Sequence, residues 1–256
     1  MIIRSRDNAR VKRWARLARD ARLRRTEGRV IIEGPHLLAA AVAAGIQPIA
    51  VLATQSALAK PHIAALARDA VVLSAGAFAA IADAESPPGV AAEIALPELR
   101  RDGPSVFLEG VQDAGNVGAI IRSAAAFGAG EVVLDRQCAD PWSPKVLRAG
   151  QGGHFALGIR QLEELGAALA SFRGRLICTV ARGGRALREV ELAGRVGWAF
   201  GAEGAGLSAA VLARASEQVT IPMAPGAESL NVAASAAICL YEGFSRASAN
   251  RSGGGS

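Results

Sequence analysis

An alternation in the second half of the chain constrains its fold more than any other feature. Five short apolar runs occur there: SVFLEGV (105–111), EVVLD (131–135), RLICTVA (175–181), GWAFG (197–201) and QVTIPM (218–223). Segments of helical character separate them, near 116–128, 161–172, 207–215 and 230–246. The runs are nearly continuous in Val, Ile, Leu and Phe, the pattern of strands covered on both faces. Strands of this kind alternating with helices build an α/β fold with a mostly parallel sheet. Such sheets bind ligands at the carboxyl ends of their strands.

The first half reads as a smaller α/β domain. Residues 8–25 form an expected helix with Val11, Trp14, Ala18 and Ala21 on one stripe and arginine on the rest. RVIIEG (29–34) reads as a strand, and Pro35 opens a helix that Gly45 closes. Further strands are expected at 48–53, 70–73 and 89–95, with helices near 61–68 and 76–83. LPELRRDGPS (96–105) holds two prolines, a glycine and four charges, the composition of a linker. The expected domains are therefore 1–95 and 106–247, with a flexible tail over 248–256.

The formal net charge is +6, and it is unevenly placed. Residues 1–30 carry eleven Lys/Arg against three Asp/Glu, so the other 226 residues sum to −2. A local concentration of cations attracts phosphate backbones through counterion release. Arg4, Arg10, Lys12, Arg13, Arg24 and Arg25 are the candidate RNA contacts in this arm, with a merely solubilising helix face as the alternative. Cys138, Cys178 and Cys239 are odd in number and scattered, which fits a reducing cytoplasm better than a disulfide framework. No signal peptide or membrane-length apolar run is visible. His36, His62 and His154 show no metal-ligand spacing, and no metal is expected. P-loop and GxSxG patterns are absent, and the glycines at 201, 204 and 206 have the order GxxGxG, not the dinucleotide order.

Three strand-to-helix junctions carry the polar residues. The first, FLEGVQDAGNVGAIIRSAAAFGA (107–129), holds Asn116, which can cap a helix, and Arg122 six residues on. WAFGAEGAGLS (198–208) places Glu203 in a turn of glycines. IPMAPGAESLNVAASAAICLYE (221–242) places Ser229 and Asn231 between a strand end and a helix of small residues. Any one of them reads equally well as a helix cap or surface pair. Three in one domain point to a site.

Taken in order, N-x5-R, FGxEGxGLS and IPM-x5-SLNVAxAxAIxLYE resemble the signature motifs of the SpoU (TrmH-type) ribose 2′-O-methyltransferases, of the SPOUT class of S-adenosylmethionine-dependent RNA methyltransferases. The block SPKVLRAGQGGHF (143–155) fits the same family. Residues 1–95, with NARVKRWARL and IIEGPHLL, resemble the ribosomal-protein-like substrate-binding domain often found in front. Two departures stand out. Ala114 replaces a common proline, and AGQGGH (149–154) differs from the usual serine-containing loop; the second bears on which RNA is seen.

The resemblance implies a deep trefoil knot in the C-terminal domain and S-adenosyl-L-methionine as cofactor. It places Gly201, Ile221 and Leu230 at backbone contacts to the cofactor, with Thr179, Ala202, Pro222 and Met223 on the same loops. Arg122 matches the catalytic arginine, with Asn116, Glu203, Ser229 and Asn231 holding it, the ribose and the cofactor loop in register. Because a guanidinium is a poor base, Arg122 is expected to bind a neighbouring phosphate and stabilise the developing alkoxide, with the base role often described for the family's arginine as the alternative. The family also implies a homodimer through the knotted domain and a tRNA or rRNA substrate. A non-catalytic RNA-binding protein and a base-directed methyltransferase are the alternatives.

Overall fold

The computed structural model describes residues 2–98 and 102–253. They form two compact units, one of residues 2–98 with Trp142–Phe155, the other of residues 102–141 with 156–253.

In the first unit, β1 (Ile2–Ile3) leads to α1 (Ala9–Arg19), α2 (Ala21–Glu27), β2 (Arg29–Glu33) and α3 (Pro35–Ala43). Next come β3 (Ala50–Thr54), α4 (Gln55–Leu58), α5 (Pro61–Leu66), β4 (Val71–Leu73), α6 (Ala75–Ala79) and β5 (Val90–Ala95). The sheet order is β1-β4-β3-β5-β2, with β5 antiparallel to both its neighbours. The helix expected over 8–25 is two helices. Asp20 ends α1 and caps α2, its carboxylate accepting from Leu23 N at 3.0 Å. Aspartate favours that capping geometry over a helix interior. Val11, Trp14 and Leu17 of α1 bury against Ile31, Leu52, Leu73 and Phe78, each such side chain contributing about 1.5–3 kcal/mol.

One buried charge crosses this core. Glu93 of β5 is 2% exposed. It accepts from Trp14 Nε1 at 2.8 Å, from Arg13 at 2.9 and 3.1 Å and from Arg29 at 3.0 Å. Burial alone would push its carboxyl pKa up. The hydrogen bonds from Arg13, Trp14 and Arg29 outweigh burial and hold it below the ordinary value.

The second unit opens with β6 (Ser105–Glu109), α7 (Ala114–Ala126) and β7 (Glu131–Leu134). The chain then supplies α8 (Pro144–Gly150) to the first unit. There Arg148 pairs with Asp83 at 2.7 Å and His36 Nε2 lies 3.2 Å from the Gln151 carbonyl. Back in the second unit are β8 (Gly158–Gln161), α9 (Gly166–Ser171), β9 (Arg175–Thr179), β10 (Arg185–Ala186) and β11 (Val196–Gly201). The unit ends with α10 (Ala209–Leu212), β12 (Glu217–Thr220) and α11 (Val232–Gly253).

All seven strands are parallel, in the order β10-β12-β9-β11-β6-β7-β8. β11 therefore lies between β6 and β9, both earlier in the chain. The five apolar runs form β6, β7, β9, β11 and β12, with Val106, Phe107, Leu108, Ile177, Trp198 and Phe200 fully buried. Three expectations change. Residues 158–161 are a strand and the helix begins only at Gly166. Asp113, not Asn116, caps α7, accepting from Asn116 N at 2.8 Å. α11 continues to Gly253, into the stretch expected as a tail. Residues 99–101 of the expected linker and 254–256 of the tail lie outside the described residues. No helix among the described residues is long and apolar enough to cross a membrane.

Candidate active site

The carboxyl ends of β9, β11 and β12 are neighbours in the sheet, and the chain beyond each of them walls a cavity of about 340 Å³. β9 and the residues after it contribute Thr179, Val180 and Ala181; β11 and its loop contribute Phe200, Gly201, Ala202, Glu203, Gly204 and Gly206. From β12 and the loop after it come Val219, Ile221, Met223, Ser229, Leu230 and Asn231. At the start of α11, Val232 and Ser235 complete the wall. Thr179 ties two of the strand ends together, its hydroxyl donating to the Ala199 carbonyl at 2.9 Å. The volume and the mixture of apolar walls with main-chain groups are those of a small-molecule site.

The glycines make the middle wall possible. A Cβ on Gly201 would lie 2.2 Å from the carbonyl carbon of Gly206 and 2.4 Å from Leu207 N. Only a bare α-carbon allows the loop to fold back this tightly. Ala202 and Gly206 then bridge, with Gly206 N donating to the Ala202 carbonyl at 2.9 Å. Gly206, at φ +69°, occupies backbone space that side chains rarely adopt.

At the rim, three side chains from three segments close a hydrogen-bonded cluster. Asn231 Oδ1 accepts from Ala233 N at 2.9 Å and Ala234 N at 3.2 Å, capping α11. That capping orients its amide, so Nδ2 points outward and donates to Glu203 Oε1 at 2.8 Å and Asn116 Oδ1 at 3.0 Å. Asn116 Nδ2 in turn donates to Glu203 Oε1 at 3.1 Å. Both amide orientations are set by these partners. The remaining carboxylate oxygen, Glu203 Oε2, has no hydrogen-bond partner among the described residues. The cluster thus presents a fixed negative acceptor at the cavity mouth.

Most of the other expected site residues gather here. Thr179, Gly201, Ala202, Ile221, Met223 and Leu230 line the cavity, as do Ser229 and Asn231. Pro222 is exposed and does not line it. Arg122 is exposed on α7 and makes no hydrogen bond to the cluster. Six residues at 100° each carry it well around the helix from Asn116, so the two cannot share a face. Val180, Ala181 and Ser235 are lining residues that the sequence does not signal, because they carry no polar motif at strand spacing.

The basic arm divides. Arg24, an expected RNA contact, is instead 3% exposed and donates to the Leu17 and Ala18 carbonyls at 2.7 and 2.9 Å. It satisfies the end of α1, where orphan carbonyls and the helix dipole favour a cation. Arg13 is likewise held within the fold, by Glu93 and Glu27. Arg4, Arg10, Lys12 and Arg25 are exposed, Arg10 lying over the Trp14 ring at 4.9 Å and Lys12 beside Asp7 at 3.0 Å.

A parallel sheet with a glycine-looped cavity at adjoining strand ends, and an Asn–Glu–Asn cluster beside it, is the arrangement of a small-molecule site in an α/β protein. Residues 104–241 match the SpoU rRNA methylase family, and residues 8–92 match the MRM3-like substrate binding domain. The chain is 35% identical over 232 residues to a tRNA/rRNA methyltransferase of Synechocystis whose activity is uncharacterised, covering 86% of this chain and 85% of the relative. It is 32% identical over 244 residues to a 23S rRNA guanosine 2′-O-methyltransferase of Bacillus subtilis, covering 93% of this chain and 97% of that one. The crystal structure of the SpoU methyltransferase AviRb from Streptomyces viridochromogenes, in complex with the cofactor AdoMet, superposes with a TM-score of 0.83 at 26% identity. That match covers 93% of this chain and 98% of AviRb. The chain belongs to the SpoU family of RNA methyltransferases.

Proposed function

We propose that the protein methylates a ribose 2′-hydroxyl of ribosomal RNA, using S-adenosyl-L-methionine held in the cavity at the ends of β9, β11 and β12. The observation that carries this reading is the Asn116–Glu203–Asn231 cluster, two of whose members, Glu203 and Asn231, line that cavity. Ribosomal RNA is favoured over transfer RNA because the Bacillus relative, matched over nearly its whole length, is named for a 23S rRNA ribose.

The residues present fit the cofactor. Ile221, Met223 and Leu230 offer an apolar sandwich for a base, and the bare main chain at Gly201 and Gly206 lets polar ligand atoms approach backbone groups. S-adenosylmethionine supplies an electrophilic methyl carbon on a sulfonium. The chain's own residues align, shield and handle the proton. Glu203 sets a negative charge beside the cationic ligand, and Ser229 with Asn231 orients the attacking ribose. Arg122 would grip the adjacent phosphate and stabilise the ribose oxygen as its proton passes to solvent. The exposed cations Arg4, Arg10, Lys12 and Arg25 steer RNA toward the protein.

The active unit is a homodimer. Ile238, Tyr241 and Phe244 are 39, 56 and 43% exposed on α11, three residues apart on one stripe. Phe127, just after α7, extends that stripe, its ring 5.6 Å from Tyr241 and 6.0 Å from Phe244. A second copy covering this face would border the cavity and bring an exposed Arg122 to a partner's ribose. The position of β11 between β6 and β9 also suits the trefoil knot of the family. Three buried free cysteines suit a reducing cytoplasm.

The test is transfer of a labelled methyl group to ribosomal RNA, then alkaline hydrolysis. An alkali-resistant dinucleotide marks 2′-O-methylation. Label recovered in mononucleotides would mean a base is the target, and no transfer despite RNA binding would mean a non-catalytic binder.

A further inference from the structure

The loop that carries Glu203 is fastened at one place outside the residues already assigned. Gly201, the last residue of β11, is the register partner of Glu109, the last residue of β6. The chain leaves that rung at Gly201, makes the glycine loop and returns to it at Ser208. There the Glu109 carboxylate takes both donors of the serine, Ser208 N to Oε2 at 2.7 Å and Ser208 Oγ to Oε1 at 2.7 Å. The same hydroxyl accepts from Val211 N at 3.3 Å, so it also starts α10.

Residues 203–206 are exposed, so packing does not hold them. Besides the Gly206–Ala202 bridge, Leu207, 8% exposed, and the Glu109–Ser208 clasp anchor the far end of the loop. Short paired bonds to an ionised acceptor are the strong ones. We propose that Glu109 is a positioning residue: by clasping Ser208 it fixes the return of the 202–207 loop, and with it both the middle wall of the cavity and the place of Glu203. The proposal rests on the reading that this cavity binds S-adenosylmethionine.

Glu109→Gln keeps the shape but sets an amide donor against one of the two serine donors. Ser208→Ala removes only the hydroxyl, and Ser208→Thr keeps both donors. The measurements are calorimetric affinity for S-adenosylmethionine, kcat at saturating cofactor and RNA, and the thermal midpoint of each variant. Glu109→Gln and Ser208→Ala are each expected to weaken cofactor binding about tenfold, the effect of losing one charge-assisted bond. Ser208→Thr should stay near wild type, and the double variant should be no worse than the poorer single one, because both break the same contact. Wild-type affinity and kcat in folded Glu109→Gln protein, with only the thermal midpoint lowered, would make the clasp purely structural and overturn the proposal. Multiplying losses in the double variant would overturn it too. Wild-type protein that binds no S-adenosylmethionine would instead bring down the cofactor reading and this proposal with it.

Discussion

Gly201→Ala puts one methyl group where the structure has no room for it. The added carbon would meet Gly206 C at 2.2 Å, Gly206 O at 2.3 Å and Leu207 N at 2.4 Å, all of them main chain. Non-bonded carbons settle about 3.5 Å apart or more, so the 206–207 backbone must retreat by about 1 Å. No flexible side chain can yield in its place. The retreat drags the loop that bears Glu203 and breaks the geometry of a wall shared with the cofactor. Overpacking of this kind costs about 1–3 kcal/mol of stability, whereas a misplacement of about 1 Å at a reacting site costs about 100-fold in rate. The assay is calorimetric S-adenosylmethionine binding and single-turnover methyl transfer, with far-UV circular dichroism reporting the fold. Gly76→Ala is the control: it lies in α6, nothing comes within 4 Å of its added carbon, and helix propensity favours the change. Folded Gly201→Ala protein that binds cofactor and turns over like wild type would refute both the cavity assignment and the role of the loop.

Acid should weaken the first unit through Glu93. Its carboxyl pKa is held below the ordinary value, so the stabilisation is complete above the unfolded-state pKa and drains away as pH falls through the folded one. Thermal midpoints measured from about pH 7 down to about pH 3 should show that loss, and Glu93→Gln should be less stable at neutral pH with a flatter acid limb. Asn231→Ala removes the cap of α11 and two arms of the cluster together; a fall in kcat of about 100-fold is expected from the lost alignment, and single-turnover rates with saturating RNA check it. Arg24→Ala should lower the thermal midpoint, since it takes the donor from the buried Leu17 and Ala18 carbonyls, yet leave the salt dependence of RNA binding unchanged. Arg10→Ala with Arg25→Ala should do the opposite, flattening the salt slope in filter-binding assays at unchanged stability.

The strands of the second unit are readable because double-sided burial writes itself as unbroken apolar runs, and all five runs are strands of one parallel sheet. The first long helix misleads because its apolar stripe continues past Asp20, although an aspartate there is a capping signal in its own right. Gly158–Gln161 is a strand because it is the edge partner of β7, a non-local fact that its own residues do not express. Asn116, Glu203 and Asn231 can be picked out as polar residues at strand ends, but the hydrogen bonds joining them span 28 to 115 residues of chain. Charge patterning sees the basic arm as one surface; burial sets Arg24 apart and pairing with Glu93 and Glu27 sets Arg13 apart, and no periodicity in the arm distinguishes them. The bond between Glu109 and Ser208 is invisible in sequence for the same reason, since it joins residues 99 apart.

The place of β11 has a consequence for how the chain reaches its native state. β6 and β9 flank it on either side and both precede it, so a sheet built in order of synthesis would pair those two and shut the slot that residues 196–201 must occupy. The slot has to stay open, or reopen, until β11 arrives. That is a late, long-range pairing, the sort that makes folding slow and leaves apolar edges uncovered meanwhile. A central, buried strand of this sheet, with Trp198, Ala199 and Phe200 no more than 1% exposed, is thus among the last that can be laid down.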